Sequence, residues 1–348
     1  MIALVKYGQQ PGMVELREVP EPVAGPGTVL LEVRAAAICG WDIEMWQHHM
    51  ANPVTVPVIQ GHEFCGTVAE VGPGVEGWTR GERVACETSA QVCGTCFWCR
   101  QGEYQICPSR KGYGYGVDGA FTRYVVARPA ILHRIPENVS FEEASLTEPF
   151  CVAHHALADR ISIQPGDSAV VIGPGPIGLI CLQMARLLGA TQTALVGLSS
   201  DAARLNLATK MGWADKIIHA DQEDAGAAVT AWTGGRGADI VADCAGNAPA
   251  VATALASVRR GGQIVKIGWG PKPINLSLDD LLRKSATLAG TFGHRHANWK
   301  TVLGLFSERQ LNPGALITSV MPLSQWLEAF TQIQKCQAVK IVLTPERR

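Results

Sequence analysis

The 348-residue sequence predicts an α/β protein of two domains. A β-rich domain comes first, a doubly wound parallel sheet follows, and a tail rejoins the first domain. Three observations carry this reading. The length exceeds the ~150 residues that one core usually serves. Residues 1–150 set short β-branched runs between glycine- and proline-rich turns, as in "GTVAEVG" and "GPGVEGWTRGE". From residue 151 onward, apolar strands alternate with helix-like segments, the pattern of βαβ units.

Taken in order, "TVLLEVRAAAIC" and "GTVAEVG" are strands of the first domain. "EEASLTEPFCVAHHALAD" is a helix entering the second. "SAVVIGPGPIGLICLQMARLLGA" reads as buried strand, glycine turn and helix. "TALVGLS", "KIIHA", "DIVADCAG" and "GGQIVKIGW" are further strands, and "DAARLNLATKMGW" is helical. This second domain spans 151–285. After 286, "LAGTFGHRHANWKTVLGLFSERQL" and "SQWLEAFTQIQKCQAVKIVL" predict a strand, two helices and a last strand that belong with the first domain.

Composition narrows the function. Hydrophobic residues make up 47% and charged residues 18%, as in a folded protein, and the net charge of −1 offers nothing to nucleic acid or an anionic membrane. The N-terminus "MIALVKYGQQPGMVELREV" lacks the basic-then-apolar plan of a signal peptide. No run approaches ~18 uninterrupted apolar residues. A cytoplasmic protein is expected, with its thiols reduced, so the 11 cysteines are metal ligands or small hydrophobes.

Cys93, Cys96, Cys99 and Cys107 in "VCGTCFWCRQGEYQIC" have the density of a tetrahedral zinc site. Four thiolates fill the coordination sphere, so this zinc is structural and staples a loop without a core of its own. Cys65, Cys86, Cys151, Cys181, Cys244 and Cys336 lack ligand spacing and read as packing. A catalytic zinc needs other ligands with one position open. Cys39, His62, Glu63 and Glu148 are the candidates, but spacing alone does not connect them. His154 and His155 lie near Glu148 in a helix-like stretch and read as core or surface.

Gly173, Gly175 and Gly178, with Pro176 and Ile177 between the last two, form G-x-G-x-x-G between the strand "SAVVI" and an apolar helix. The glycines allow the tight turn, the approach of a pyrophosphate and close helix–strand packing, and the helix N-terminal amides face the phosphate. About twenty residues on, a carboxylate usually meets the ribose hydroxyls. Here Ser199 stands at that position, followed by Ser200, Asp201 and Arg204. A serine admits a 2′-phosphate and Arg204 has the charge to pair with it, so the reading leans toward NADP(H) over NAD(H), with Asp201 arguing the other way.

"CGWD", "GHEFCGTVAEVGPGV", the cysteine lobe and "GPGPIG" stand in the order and spacing of the zinc-dependent medium-chain alcohol/polyol dehydrogenases, which the sequence resembles over nearly its whole length. "EP…AHHAL" is similar to the sorbitol and threonine dehydrogenase branch. The resemblance implies a GroES-like catalytic domain (1–150 and 286–348, with the zinc lobe at 90–110) and a Rossmann-type domain (151–285). It implies two zinc ions per chain. Cys39 and His62 become ligands of the catalytic ion, Glu63 a ligand or near-ligand, and Glu148 closes the shell or holds the bound water. Asp42 would accept a hydrogen bond from His62 and fix its tautomer. The activity implied is reversible hydride transfer between a polyol or sugar-type secondary alcohol and NAD(P). A threonine-type or simple secondary-alcohol substrate is the alternative, and a non-catalytic binding protein on the same scaffold the remote one. A homo-oligomer, dimer or tetramer, is carried over in the same way.

The pattern departs from the family at Trp41, where most members carry the Ser or Thr that begins a proton relay, and at Glu44, where relatives often have histidine. An indole donates but cannot accept a proton. Trp41, Glu44 and Trp46, together with His294 and Arg295 in "GTFGHRHANW", are the expected substrate-pocket residues.

Overall fold

The computed structural model describes residues 1–50, 54–270 and 272–346. The chain divides into two compact units, Met1–Glu148 with Arg295–Arg348 and Pro149–His294. In the first unit the chain runs through β1 (Ile2–Lys6), β2 (Val14–Glu18), β3 (Val29–Ala37), helix α1 (Gly40–Gln47), β4 (Val58–Ile59), β5 (Glu63–Val71), β6 (Arg83–Cys86), the one-turn helix α2 (Phe97–Arg100), β7 (Tyr124–Ala127), β8 (Leu132–Arg134) and α3 (Phe141–Ala144). Helix α4 (Thr147–His154) carries it into the second unit.

There β9 (Ser168–Ile172), α5 (Pro176–Leu187), β10 (Gln192–Gly197), α6 (Ala202–Lys210), β11 (Lys216–His219), α7 (Ala225–Trp232), β12 (Ala238–Asp243), α8 (Ala248–Ser257), β13 (Val258–Lys266), α9 (Asp279–Lys284) and β14 (Thr287–Gly290) follow. The strands form one parallel sheet in the order β11-β10-β9-β12-β13-β14. β9 is buried at every position, as an apolar strand covered on both faces must be. The order reverses at β9, so the turn after β9 lies at the switch point where such sheets bind ligands.

The segment returning to the first unit contains α10 (His296–Ser307), β15 (Ile317–Pro322), α11 (Trp326–Gln334) and β16 (Lys340–Thr344). Its return begins at Arg295, not at 286: β14 pairs with β13 and closes the parallel sheet, because its apolar run extends that sheet's register from Gln263↔Thr287 to Lys266↔Gly290. Strand β15 was missed in the sequence, its alternation hidden by serine and proline in "ITSVMP".

The larger sheet of the first unit has the order β15-β16-β3-β5-β6-β8, with β7 also on β3. Its register positions the chemistry. Ala37, the last residue of β3, lies opposite Glu63 of β5 on one side and Val342 of β16 on the other. Cys39 just beyond β3, Glu63 at the start of β5 and Lys340 at the start of β16 therefore meet at one end of the sheet. Beneath them a core of Leu31, Val33, Phe64, Val84, Phe121, Phe330 and Ile341 is buried.

Candidate metal and cofactor sites

Cys39 precedes α1 in extended backbone, and its amide donates to Asp42 Oδ2 at 2.9 Å. The side chain three residues into the helix thus anchors the turn that presents the thiol. Gly61 presents His62: its φ is +94°, and a Cβ there would stand 2.6 Å from the Phe121 ring, so both the conformation and the space call for glycine. Cys39, His62 and Glu63 offer ligand atoms within 4.8 Å of one another. His62 and Glu63 are buried.

Lys340 completes the cluster. Its ammonium is buried, pairs with Glu63 Oε2 and donates to the Ile38 carbonyl at 2.9 Å. Burial works against the charge on Lys340, but Glu63 and then Cys39 outweigh it and raise the pKa. Glu148 belongs to the same charge cluster. Burial, and next the Glu63 carboxylate, push its carboxyl up to about 8, against the opposing charges of Lys340 and Arg110. Burial and then Glu63 also raise the Cys39 thiol well above its ordinary value. Burial similarly raises Asp42, opposed by His62 and the Cys39 amide.

Cys39, Asp42, Glu63 and Glu148 are acidic groups crowded around His62, Lys340 and Arg110. A cation bound at the three converging donors would relieve that surplus and allow the thiolate to form, and the sulfur, nitrogen and oxygen donors suit zinc. The expected His62–Asp42 hydrogen bond is not formed. Nδ1 stands 3.9 Å from Oδ1, which has no hydrogen-bond partner among the described residues, while the other carboxylate oxygen is held by the Cys39 amide.

Four free thiols gather in the cysteine lobe, where Cys96 caps α2. Cys93 Sγ lies 3.6 Å from Cys107 Sγ and 3.9 Å from Cys99 Sγ. Sulfurs at the corners of a tetrahedron with zinc–sulfur bonds of ~2.3 Å stand about 3.8 Å apart, so the lobe fits the ion. The Thr95 and Cys96 amides lower the Cys93 thiol to about 6.

In the second unit, Gly175 caps α5 and Pro176 opens it, followed by Ile177. A Cβ on Gly178 would lie 1.9 Å from the Gly173 carbonyl oxygen, so only glycine lets helix and turn approach. At the turn after β10, the Ser199 amide donates to Asp221 Oδ1 at 3.0 Å, and its hydroxyl accepts from Gln222 at 2.7 Å. Arg204 is largely buried and faces Asp201 at 3.9 Å, while Asp201 Oδ2 accepts from the Leu198 amide. Ser200 lies on the one-turn helix between them.

The pocket residues inferred from sequence separate. Trp46 turns inward and packs edge-on against Trp326 and Phe330 of α11, with ring centroids 6.4 and 6.0 Å away; it is partly buried against the core. Glu44 faces solvent beside His49 at 3.9 Å. Arg295 pairs with Glu103 of the cysteine lobe, and its amide donates to Asn298, so it caps α10. His294 is buried in the second unit, across the division of the chain from Arg295. Trp41 stays half-buried, edge-on to Tyr115 at 6.2 Å, and among the described residues its indole nitrogen has no hydrogen-bond partner. The Tyr115 hydroxyl accepts from Arg110, which also donates to Ser89 and Thr88. Sequence reasoning missed Lys340 and Arg110. A lone lysine inside the apolar strand "KIVLT" was the signal for the first; nothing marked the second.

Residues 25–137 match the alcohol dehydrogenase GroES-like domain family, and residues 176–308 the zinc-binding dehydrogenase family. The chain is 38% identical to sorbitol dehydrogenase of Halalkalibacterium halodurans over 99% of each chain. It is 35% identical to D-arabitol-phosphate dehydrogenase of Enterococcus avium over 96% of this chain and 95% of that one. A zinc-binding dehydrogenase from Sinorhizobium meliloti, solved bound to NADP, superposes with a TM-score of 0.90 at 27% identity over 99% of each chain. With its GroES-like region, parallel sheet and two donor clusters, the chain belongs to the zinc-dependent medium-chain dehydrogenases, in their polyol-type branch.

Proposed function

We propose that this chain interconverts a polyol or sugar-type secondary alcohol and its ketone, with NAD(P) as hydride carrier. The observation that carries the reading is the convergence of Cys39 with buried His62 and Glu63, and Lys340 fixed on Glu63. These three residues would hold the zinc, which when bound lowers the pKa of an alcohol or polarises a carbonyl. Asp42 holds the Cys39 turn and faces His62. Lys340 orients Glu63 and balances part of the site's negative charge. Glu148, in the same charge cluster, holds the water or proton that a hydroxyl at position 41 would otherwise handle. Trp41 and Tyr115 form the apolar wall beside them. The similarity to the sorbitol and arabitol-phosphate enzymes supports the polyol class.

The dinucleotide turn supports use of both carriers. Ser199 puts no carboxylate at the usual ribose position, but Arg204 is engaged by Asp201, and Asp221 adds a second carboxylate at the turn. The lean toward NADP(H) that Ser199 suggested is thereby offset, and affinities within about tenfold of each other are expected, a difference of ~1.4 kcal/mol. The free thiols support a reducing cytoplasm, and among the described residues no helix is long and apolar enough to cross a membrane. A homo-oligomer is proposed by analogy with the branch, and mass measurement in solution tests it.

The deciding experiment is a panel of polyols, polyol phosphates, threonine and simple alcohols, followed by absorbance of the reduced nicotinamide. Free polyols should exceed threonine and simple alcohols in kcat/KM by at least about tenfold. Preferred turnover of threonine would overturn the substrate class. No turnover of any alcohol by zinc-replete protein would overturn the enzymatic reading.

A further inference from the structure

A third group of donors in the first unit belongs to neither cluster. Glu87 follows β6, His133 is the middle residue of β8, and His296 opens α10. Their ligand atoms lie within 4.8 Å of one another. His133 Nε2 and His296 Nδ1 approach the same oxygen, Glu87 Oε1, at 2.8 and 2.7 Å. The other carboxylate oxygen accepts from the Tyr104 hydroxyl at 2.6 Å. His133 is held in place by stacking on Trp299, with centroids 5.2 Å apart and planes 13° apart. Two imidazoles and a carboxylate from three separate segments thus aim at one point. A neighbouring phenol and indole orient two of the three, as outer partners do for metal ligands.

Access and charge agree with this reading. The Glu87 side chain is fully buried and His133 nearly so, whereas His296 is 55% exposed and opens the cluster to solvent. A buried carboxylate needs a counter-charge. The imidazoles supply it only when protonated, whereas a divalent ion supplies it outright and accepts the lone pairs of both.

We propose that Glu87, His133 and His296 form a third metal site, open to solvent, for a borderline divalent ion such as zinc, cobalt or nickel. Two imidazoles and one carboxylate suit these ions better than magnesium or calcium, which take oxygen ligands. On binding, the ion takes the point where the imidazole nitrogens now meet Glu87, and the carboxylate becomes its third ligand. The ion would clamp β8 and α10 to the segment leading into the cysteine lobe, whose Tyr104 already holds Glu87.

The test is a zinc titration of the protein carrying its resident zinc, read by calorimetry and by metal analysis after dialysis. The wild type should take up one further equivalent, with a rise in melting temperature that follows zinc concentration. His296→Ala, at an exposed position, should keep its resident zinc and its fold but lose both the extra equivalent and the melting response. Cobalt should compete with zinc for the equivalent, and magnesium should not. Wild-type protein that takes up nothing beyond its resident zinc would overturn the proposal. So would a His296→Ala variant that binds the extra equivalent as tightly as wild type, which would mean adventitious surface binding.

Discussion

Cys93, Cys96, Cys99 and Cys107 come from one short stretch of chain and meet near solvent; half-buried Cys39 and buried His62, Glu63 and Lys340 come from separate places and meet at one end of a sheet. In the lobe, the Thr95 and Cys96 amides pull the Cys93 thiol down to about 6, while burial and the neighbouring thiols raise Cys99 to about 12. At the buried cluster, burial and neighbouring carboxylates push the Cys39 thiol up. A structural site can be assembled from local chain because it has only to hold an ion and a loop. A reactive site gathers charge that the sheet and core must keep in place, and here a buried lysine shares that task. The cost of burying those charges is the condition for chemistry in a low-dielectric pocket.

The sharpest way to break this comparison is to remove one cysteine from each cluster. Cys39→Ala should lower kcat/KM by on the order of a thousandfold or more while the far-ultraviolet spectrum and melting temperature hold. Cys96→Ser should instead release the lobe's zinc and lower the melting temperature, with activity falling only as the protein unfolds. If Cys39→Ala unfolded the chain and Cys96→Ser spared the fold but stopped turnover, the roles would be reversed.

Lys340→Met should leave the Glu63 charge buried without its ammonium and destabilise the zinc-free protein by ~3–5 kcal/mol in urea unfolding, with Lys340→Arg recovering part of the loss. An unchanged midpoint for Lys340→Met would show that the pair carries no structural weight. Asp42→Asn should lower activity or metal affinity at the Cys39 site by about 10–100-fold and leave the lobe's zinc untouched, as metal analysis against a chelator series would show.

The smallest effect is one of pH. In metal-free protein a thiol lowered to about 6 is mostly thiolate at pH 7, whereas a thiol raised above its ordinary value stays protonated. Iodoacetamide at pH 7 should therefore alkylate Cys93 well before Cys39, as peptide mass spectrometry would record, and added zinc should protect both. Equal rates would remove the electrostatic contrast between the two clusters.

The lobe and the glycine turn were legible because their chemistry is local. Four cysteines within residues 93–107, and three glycines between a strand and a helix, state their purpose without the rest of the fold. The resemblance named Cys39, His62, Glu63 and Glu148, of which the first three converge and Glu148 joins their charge cluster, whereas Trp46 packs against Trp326 and Phe330 and Glu44 lies beside His49. Sequence spacing does not say which face of an eight-residue helix meets the core, and α11, against which Trp46 packs, lies nearly three hundred residues away. Arg295 pairs with Glu103, a contact between distant parts of the chain that sequence spacing does not show.

Sequence by itself determined the βαβ pattern, the glycine turn, the four-thiol lobe and the chemical class to which such residues belong, because each depends on neighbours a few positions apart. The tertiary structure alone decided that Lys340 stands on Glu63, that Asp42 spends one oxygen on the Cys39 amide, and that Glu87 draws two histidines together. Those contacts follow from strand register and helix packing, which bring distant charges into a common low-dielectric environment where each sets the ionisation of the next.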